Sequence, residues 1–376
     1  MEITIMKKTI LILAALIMSI GLLNADIYVV DVAGGGDFTR IHDAVAAASD
    51  GDTVLVNSGT HYFTTQDGIV TVDKELLIQG LGYDLPENGG TTLQSQTALF
   101  TFTSEAEGSI LRGFRLQGTG VPLVTIDANK MIIEENLFMN RGVNNYSLSF
   151  TSVADDTVRN NIFCPGIDGT KSGGVYAYAC SDVLINNNLF ASTSLGIYLR
   201  QNSNDKIMNN IFLENTAYAI QIGINGSYPD HAYVGGNIFM NGNNTSVIIG
   251  GGSPTISNNA FFNNSDNGST GYEPITQNPL FVDYGSGDSY DEESYDNDGY
   301  DFHLQGTSPC KNAGPLLVDY NDADGSRNDM GIYGWLWPIG TTGAPTIPVV
   351  NSITVTPTTV SPSGTITIEA TGRIGE

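Results

Sequence analysis

Val158-Arg159-Asn160-Asn161-Ile162-Phe163, Ile185-Asn186-Asn187-Asn188-Leu189-Phe190 and Ile207-Met208-Asn209-Asn210-Ile211-Phe212 are three versions of one phrase. It occurs six times, centred on Asn136, Asn161, Asn188, Asn210, Asn237 and Asn259, at successive spacings of 25, 27, 22, 27 and 22 residues. Three residues before each of these asparagines stands Ile or Val, and two residues after it stands Phe. Leu77 to Gly80 and Ile110 to Gly113 read as earlier, degenerate versions of the pattern. A unit this short cannot bury its own apolar side, so each must stack on its neighbours.

The units are β-branched and aromatic and lack helical periodicity, which points to short parallel strands wound into a solenoid. The fold class is therefore all-β, a parallel β-helix, right-handed by the rule for parallel crossovers. About ten coils between Thr53 and Leu304 give a rod roughly 50 Å long at the spacing of adjacent strands. Stacked Phe and Ile should form buried ladders, and stacked Asn side chains should hydrogen-bond from coil to coil. Asn also tolerates the left-handed backbone that a sharp corner needs. At the N-terminal end, Phe38, Ile41, Val45 and Ala48 trace one face of a short helix that should cap the open edge, with His42 on its polar face.

Composition agrees with this reading. Lys and Arg total 15 against 40 Asp and Glu, a formal charge of −25, and 44 of 376 residues are Gly. Such a charge repels phosphate backbones and anionic lipid, so nucleic acid and membrane surfaces are excluded as partners. Lys7 and Lys8, the apolar run Thr9 to Leu23 and the small residue Ala25 read as a secretory signal peptide over residues 1–25, too short to span a bilayer. Export to the cell surface or medium, with no membrane insertion after cleavage, is the expectation. Three cysteines, Cys164, Cys180 and Cys310, cannot all pair within one chain, and the first two read as small buried hydrophobes.

The phrase Gly35-Gly36-Asp37-Phe38-Thr39-Arg40-Ile41, with Gly51-Asp52-Thr53-Val54-Leu55-Val56 and Gly59-Thr60-His61-Tyr62, resembles the opening of pectate-lyase-like right-handed β-helix proteins. Asp301-Phe302-His303-Leu304, Ser308-Pro309-Cys310 and the run Asp324 to Gly334 are similar to the ending of many exported bacterial members. The resemblance covers residues 26–338 and implies the fold. It carries over no catalytic residue, since no catalytic motif of the polygalacturonase, pectin esterase or pectate lyase type is present. Residues 339–350 read as a linker, and residues 351–376 resemble the start of an immunoglobulin-like module, too short to close one.

Function is sought on the outward side of the coils. The strands that follow the Phe alternate, burying Val124 and Ile126, Leu148 and Phe150, Val175 and Ala177, Ile197 and Leu199, Ile220 and Ile222. Outward, they leave a stripe of Asp127, Thr151, Tyr176, Tyr178, Tyr198, Arg200 and Gln221. Tyrosines side by side on a rigid sheet suit the stacking of sugar rings, so a polysaccharide or cell-surface glycan is the expected partner. Equally, Tyr and Arg stabilise exposed strands as cross-strand pairs.

Hydrolysis needs two carboxylates flanking the bond. Asp155, Asp156, Asp182 and Asp205 fall five or six residues before their asparagines, and Asp156 and Asp205 would stand two coils apart, roughly 9.6 Å. Asp also begins turns by bonding its own backbone. A lyase would need a base and a cation, for which Arg200, with Ca²⁺ held by those Asp residues, is the candidate. Asp319, Asp322 and Asp324 beside Gly325 supply hard oxygen ligands that suit Ca²⁺, whereas the acidic stretch from Asp283 to Asp301 reads as a solvated insertion. The alternative function is a non-catalytic surface or adhesion rod whose coils are spacers. Sequence leaves the oligomeric state open.

Overall fold

The computed structural model describes residues 25–64, 67–83, 90–119, 122–142, 145–166, 169–223, 231–284, 301–316, 320–322, 325–335, 349–356 and 367–373. The leader expected over 1–25, apart from its last residue, the linker up to 348 and the acidic stretch 285–300 lie outside them. No helix among the described residues is long and apolar enough to cross a membrane.

The chain winds as a right-handed parallel β-solenoid with three sheets running along its length. Each coil contributes one strand to each sheet in turn. The first sheet has ten strands, beginning with β1 (Ile27–Val30), and the second and third have nine each. All strand pairs within these three sheets are parallel and join successive coils, as between Ile185 and Ile207 in the first, Phe190 and Phe212 in the second, and Tyr176 and Tyr198 in the third. Helix α1 (Ile41–Ala47) buries Ile41, Ala44 and Val45 against the first coils, which is the expected cap.

The repeated phrase spans the corner between the first and second sheets. Its Phe column points inward: Phe138, Phe163, Phe190, Phe212, Phe239 and Phe261 stack with centroids 4.7, 4.7, 4.9, 4.9 and 4.8 Å apart and planes within 9° of parallel. That distance matches the rung spacing, so the rings stack face to face because the backbone fixes them there. Facing them from the third sheet are small residues, Gly174, Gly196 and Ala219. A Cβ on Gly196 would stand 2.8 Å from the Phe212 ring and 2.5 Å from the Ala219 carbonyl oxygen.

The Asn column is fully buried and closes a hydrogen-bond chain. The Oδ1 of Asn188 accepts from both the backbone N–H (2.9 Å) and the Nδ2 (3.1 Å) of Asn161, and its own Nδ2 donates to Asn210 Oδ1 and to the carbonyls of Val158 and Asn186. Every polar group of the amide is thereby paired, which makes a polar corner tolerable inside an apolar core. The left-handed backbone lies one residue earlier than expected. Glu135, Asn160, Asn187, Asn209, Gly236 and Asn258 have φ between 53° and 69°, and the ladder asparagines do not.

The last strand of the three sheets is Asp266–Gly268, and single parallel bridges at Tyr272 and Ile275 carry the winding a little further, short of the expected Leu304. Phe281–Asp283 and Asp301–Leu304 pair antiparallel instead, and with the segment up to Trp335 they fold back over the outside of the second sheet. That outer face is apolar (Leu137, Ile162, Leu189, Ile211, Ile238), and Phe281, Phe302, Cys310, Met330 and Ile332 bury it in a second core. The left-handed asparagines hold this strap by its backbone. Asn209 Nδ2 donates to the carbonyls of Asp329 (2.7 Å) and Gly331 (3.2 Å), and Asn187 Nδ2 to those of Ile332 (3.0 Å) and Gly334 (2.8 Å). The three cysteines are buried and form no disulfide among the described residues. Strands Val349–Thr356 and Thr367–Arg373 form a separate antiparallel pair.

Candidate functional site

With the second sheet's outer face covered by the strap, the third sheet presents its own outer face. The expected alternation holds there. Leu148, Phe150, Val175, Ala177, Ile197, Leu199, Ile220 and Ile222 are buried, while Tyr176, Tyr178, Tyr198 and Gln221 are half-buried and Asp127, Thr151 and Arg200 exposed. Strand register sorts the stripe into two rows. Ser149, Tyr176, Tyr198 and Gln221 are cross-strand neighbours in one, and Thr151, Tyr178 and Arg200 in the other. Asp127 directly follows Ile126, which lies opposite Phe150, so it heads the second row two coils before Tyr178.

Tyr146 is a member that sequence reasoning missed. It lies opposite Gly173, and in the absence of a side chain there its ring crosses toward the next two coils. The Tyr146 centroid is 5.2 Å from that of Tyr176 and 6.3 Å from that of Tyr198, and Tyr176 and Tyr198 are 5.4 Å apart. The three rings form a cluster inclined at 25° to 50° to one another, not a flat strip. Burial, and then the neighbouring phenols of Tyr198 and Tyr176, push the Tyr146 hydroxyl well above the usual range, so it stays a neutral donor at physiological pH. The signal was available: a glycine inside a strand marks a close approach. Beside the cluster, the Arg200 guanidinium lies 5.4 Å from the Tyr178 ring centroid, a cation–π contact that positions an otherwise exposed cation.

The proposed carboxylate pair is not on this surface. Asp156 is completely buried and its Oδ1 accepts the Met131 N–H (2.8 Å), while Oδ2 has no hydrogen-bond partner. Burial pushes its carboxyl up to about 7. Asp205 is 1% exposed and accepts from the Val183 N–H and from Asn202 Nδ2. Both close the corner between the third and first sheets by holding the preceding coil, so neither can flank a bond in a bound chain. Asp182 is exposed at that corner with φ 57°, in line with Lys130, Asp155 and Asn204, whose φ values are 56°, 63° and 59°. Its place is explained by the left-handed turn that Asp and Asn tolerate. Of the residues weighed for catalysis, Asp155, Asp182 and Arg200 are the three that reach solvent.

Of the Ca²⁺ candidates, Asp319 and Asp324 lie outside the described residues. Asp322 turns its carboxylate on the strap itself, accepting the N–H groups of Asp329 (3.0 Å) and Trp335 (2.6 Å). Among the described residues no cluster of three His, Cys, Asp or Glu is placed to hold a metal.

Residues 103–261 match the family model described as "Right handed beta helix region". No curated protein matches the chain by sequence. Solved structures with a similar fold include the pectate lyase Pel9A, at 15% identity and a TM-score of 0.39 over 82% of this chain and 96% of that one. ORF18 of Geobacillus virus E2 is similar at 16% identity and a TM-score of 0.38, over 59% of this chain and 48% of that chain. A PL6 alginate lyase in complex with a trisaccharide is similar at 16% identity and a TM-score of 0.36, over 59% and 46%. The chain therefore spans about half the length of the last two.

Proposed function

We propose that this right-handed parallel β-helix protein is exported and binds a polysaccharide along the outer face of its third sheet. The observation that carries the reading is the mutual cluster of Tyr146, Tyr176 and Tyr198 on three successive coils, bordered by Tyr178, Arg200 and Gln221. Half-buried phenols offer apolar ring faces for the C–H side of a pyranose, and their hydroxyls and the Gln221 amide offer hydrogen bonds to its rim. The rod is rigid along its axis, so these groups are pre-organised and a bound chain loses little to ordering of the protein.

The geometry favours binding over hydrolysis, because Asp156 and Asp205 are buried in the corner. The test is retention on a panel of plant, algal and bacterial glycans, with Tyr176→Ala and Tyr198→Ala as controls. Retention that falls about fivefold or more in both variants supports the reading, as each stacking contact is worth about 1 kcal/mol. Retention on none of the glycans removes it. Release of unsaturated products or of new reducing ends from a retained glycan would add lyase or hydrolase activity to binding.

A further inference from the structure

The distribution of positive charge names the class of glycan. In a chain of formal charge −25, six of the described cations are held in ion pairs. Arg40 pairs with Asp67, Lys74 with Asp73, Arg112 and Arg159 with Glu134, Lys130 with Glu107, and Lys311 with Asp329. Among the described residues Arg141, Lys171 and Arg200 make no ion pair, nor do Lys206, which lies over the Tyr320 ring, and Arg327, which donates to the carbonyls of Ala313 and Gly314; of these, Lys171 and Arg200 lie at opposite ends of the strands that carry the tyrosines.

Arg200 ends its strand (Leu195–Arg200) two residues beyond Tyr198. Lys171 stands on the opposite side, two residues before Gly173, over which the Tyr146 ring lies. Arg141 packs against Gly166, whose N–H donates to the carbonyl of Thr170, the residue before Lys171. Gly166, five residues before Lys171, passes so close to Arg141 that a Cβ would stand 2.4 Å from its Cγ, and the buried Nε of Arg141 has no hydrogen-bond acceptor. The strand between the two sides, Gly173–Tyr178, is roughly 17 Å long. The aromatic lane thus runs between two edges of unneutralised positive charge. Asp127 stands in the same row as Arg200 three coils earlier, so one end of that row repels anions and the other attracts them.

We propose that the ligand is a largely neutral polysaccharide bearing isolated carboxylate substituents, its backbone on the tyrosines and a carboxylate on Arg200 or at the Lys171 edge. This rests on the glycan-binding reading above. Three cations set apart by an apolar lane match sparse acids, each met by a charge-assisted hydrogen bond. A densely charged polyuronate would meet the same cations, but along the rest of its length it would run against the acidic envelope and Asp127.

Isothermal titration against matched sets decides it. For several backbones, the neutral chain, the same chain with sparse uronate side groups, and a polyuronate are compared at low and high salt. The expected result is that the tightest binder is a sparsely acidic glycan. Reduction of its carboxyl groups to alcohols, and independently Arg200→Ala combined with Lys171→Ala, should each weaken binding on the order of tenfold, and Arg200→Lys less. Tyr176→Ala should weaken all binders alike. Tightest binding of a neutral chain, unmoved by the Arg200 and Lys171 changes, overturns the proposal and leaves glycan binding standing, as does tightest binding of a polyuronate. Binding to none of the glycans overturns both.

Discussion

Gly173 faces Tyr146 across the third sheet, and the phenol ring fills the space that a side chain on the glycine would occupy: a Cβ there would stand 2.5 Å from Cδ1. The atom in the way is on a side chain that can rotate, not on backbone. Gly173→Ala should therefore swing the Tyr146 ring off its neighbours while leaving the coil intact. The expected outcome is a change in melting temperature within about 1 kcal/mol of wild-type stability, with glycan affinity reduced several-fold. Titration calorimetry alongside thermal melts checks it; a large drop in stability with unchanged affinity would mean that the ring serves the fold and not the ligand.

Gly196 looks similar in sequence and should behave differently. Its missing Cβ would meet the Ala219 carbonyl at 2.5 Å and the Phe212 ring at 2.8 Å, so backbone and a fixed ladder ring would both have to move. Gly196→Ala is expected to cost about 1 to 3 kcal/mol through overpacking, and Phe212→Ala about 3 to 5 kcal/mol through the cavity it opens. Hydrogen exchange of the adjoining coils, which reports local opening in a repeat architecture, is the suitable measurement. Equal protection in wild type and both variants would contradict the account of the ladder.

Much of this was legible beforehand because a solenoid turns phase in sequence into adjacency in space. The Phe spacing fixed which residues stack, and the alternation around Val175 and Ala177 fixed that Tyr176 and Tyr178 face out. What could not be read is whatever depends on contacts between distant segments. Phe281, Met330 and Ile332 carry no sign that they return to cover Ile211 and Ile238. Nor does the outward-facing residue after each ladder asparagine, Leu137, Ile162, Leu189, Ile211, Ile238 or Ala260, reveal that it is destined for a second core. Tyr146 was overlooked because its strand starts two residues earlier than the buried pair Leu148 and Phe150 suggested.

Asn187 and Asn188 show the same limit within one phrase, and they yield a test. Asn188 carries the internal ladder, whereas its neighbour, with φ 54°, grips the carbonyls of Ile332 and Gly334. Asn188→Ala strips Asn161 of an acceptor and leaves the Val158 and Asn186 carbonyls without its donated bonds, at about 1 to 3 kcal/mol for each buried group left unpaired. The expected effect is loss of exchange protection on both flanking coils. Asn187→Gly preserves the left-handed backbone at no steric cost and removes the grip, together with the bond that Asn187 Oδ1 accepts from Asn186 Nδ2. It should raise exchange or proteolysis in residues 325–335 and leave the coils protected. If both variants loosened the same residues, the division of labour between these two asparagines would be wrong.

Acidity should act through Asp156. Its carboxyl is buried and raised to about 7, against roughly 4 in an unfolded chain. Between those values the folded protein holds a proton that the unfolded chain has released, so the folded state is favoured at low pH and this advantage fades as pH rises toward 7. Above 7 the site carries a buried charge that has lost its proton, with one oxygen held by the Met131 N–H and the other unpaired. Asp156→Asn keeps an oxygen for that N–H and removes the charge. The variant should match wild type near pH 4 and exceed it by an amount that grows to a plateau above pH 7, a few kcal/mol at about 1.4 kcal/mol per pH unit. His61 works in the opposite sense, since burial lowers its pKa and stability drains as pH falls below 6.5. It is absent from the difference between Asp156→Asn and wild type, because both keep it. Melting curves of the two proteins across pH 4 to 8 give that difference directly, and a gap constant with pH would show that Asp156 does not titrate in this range.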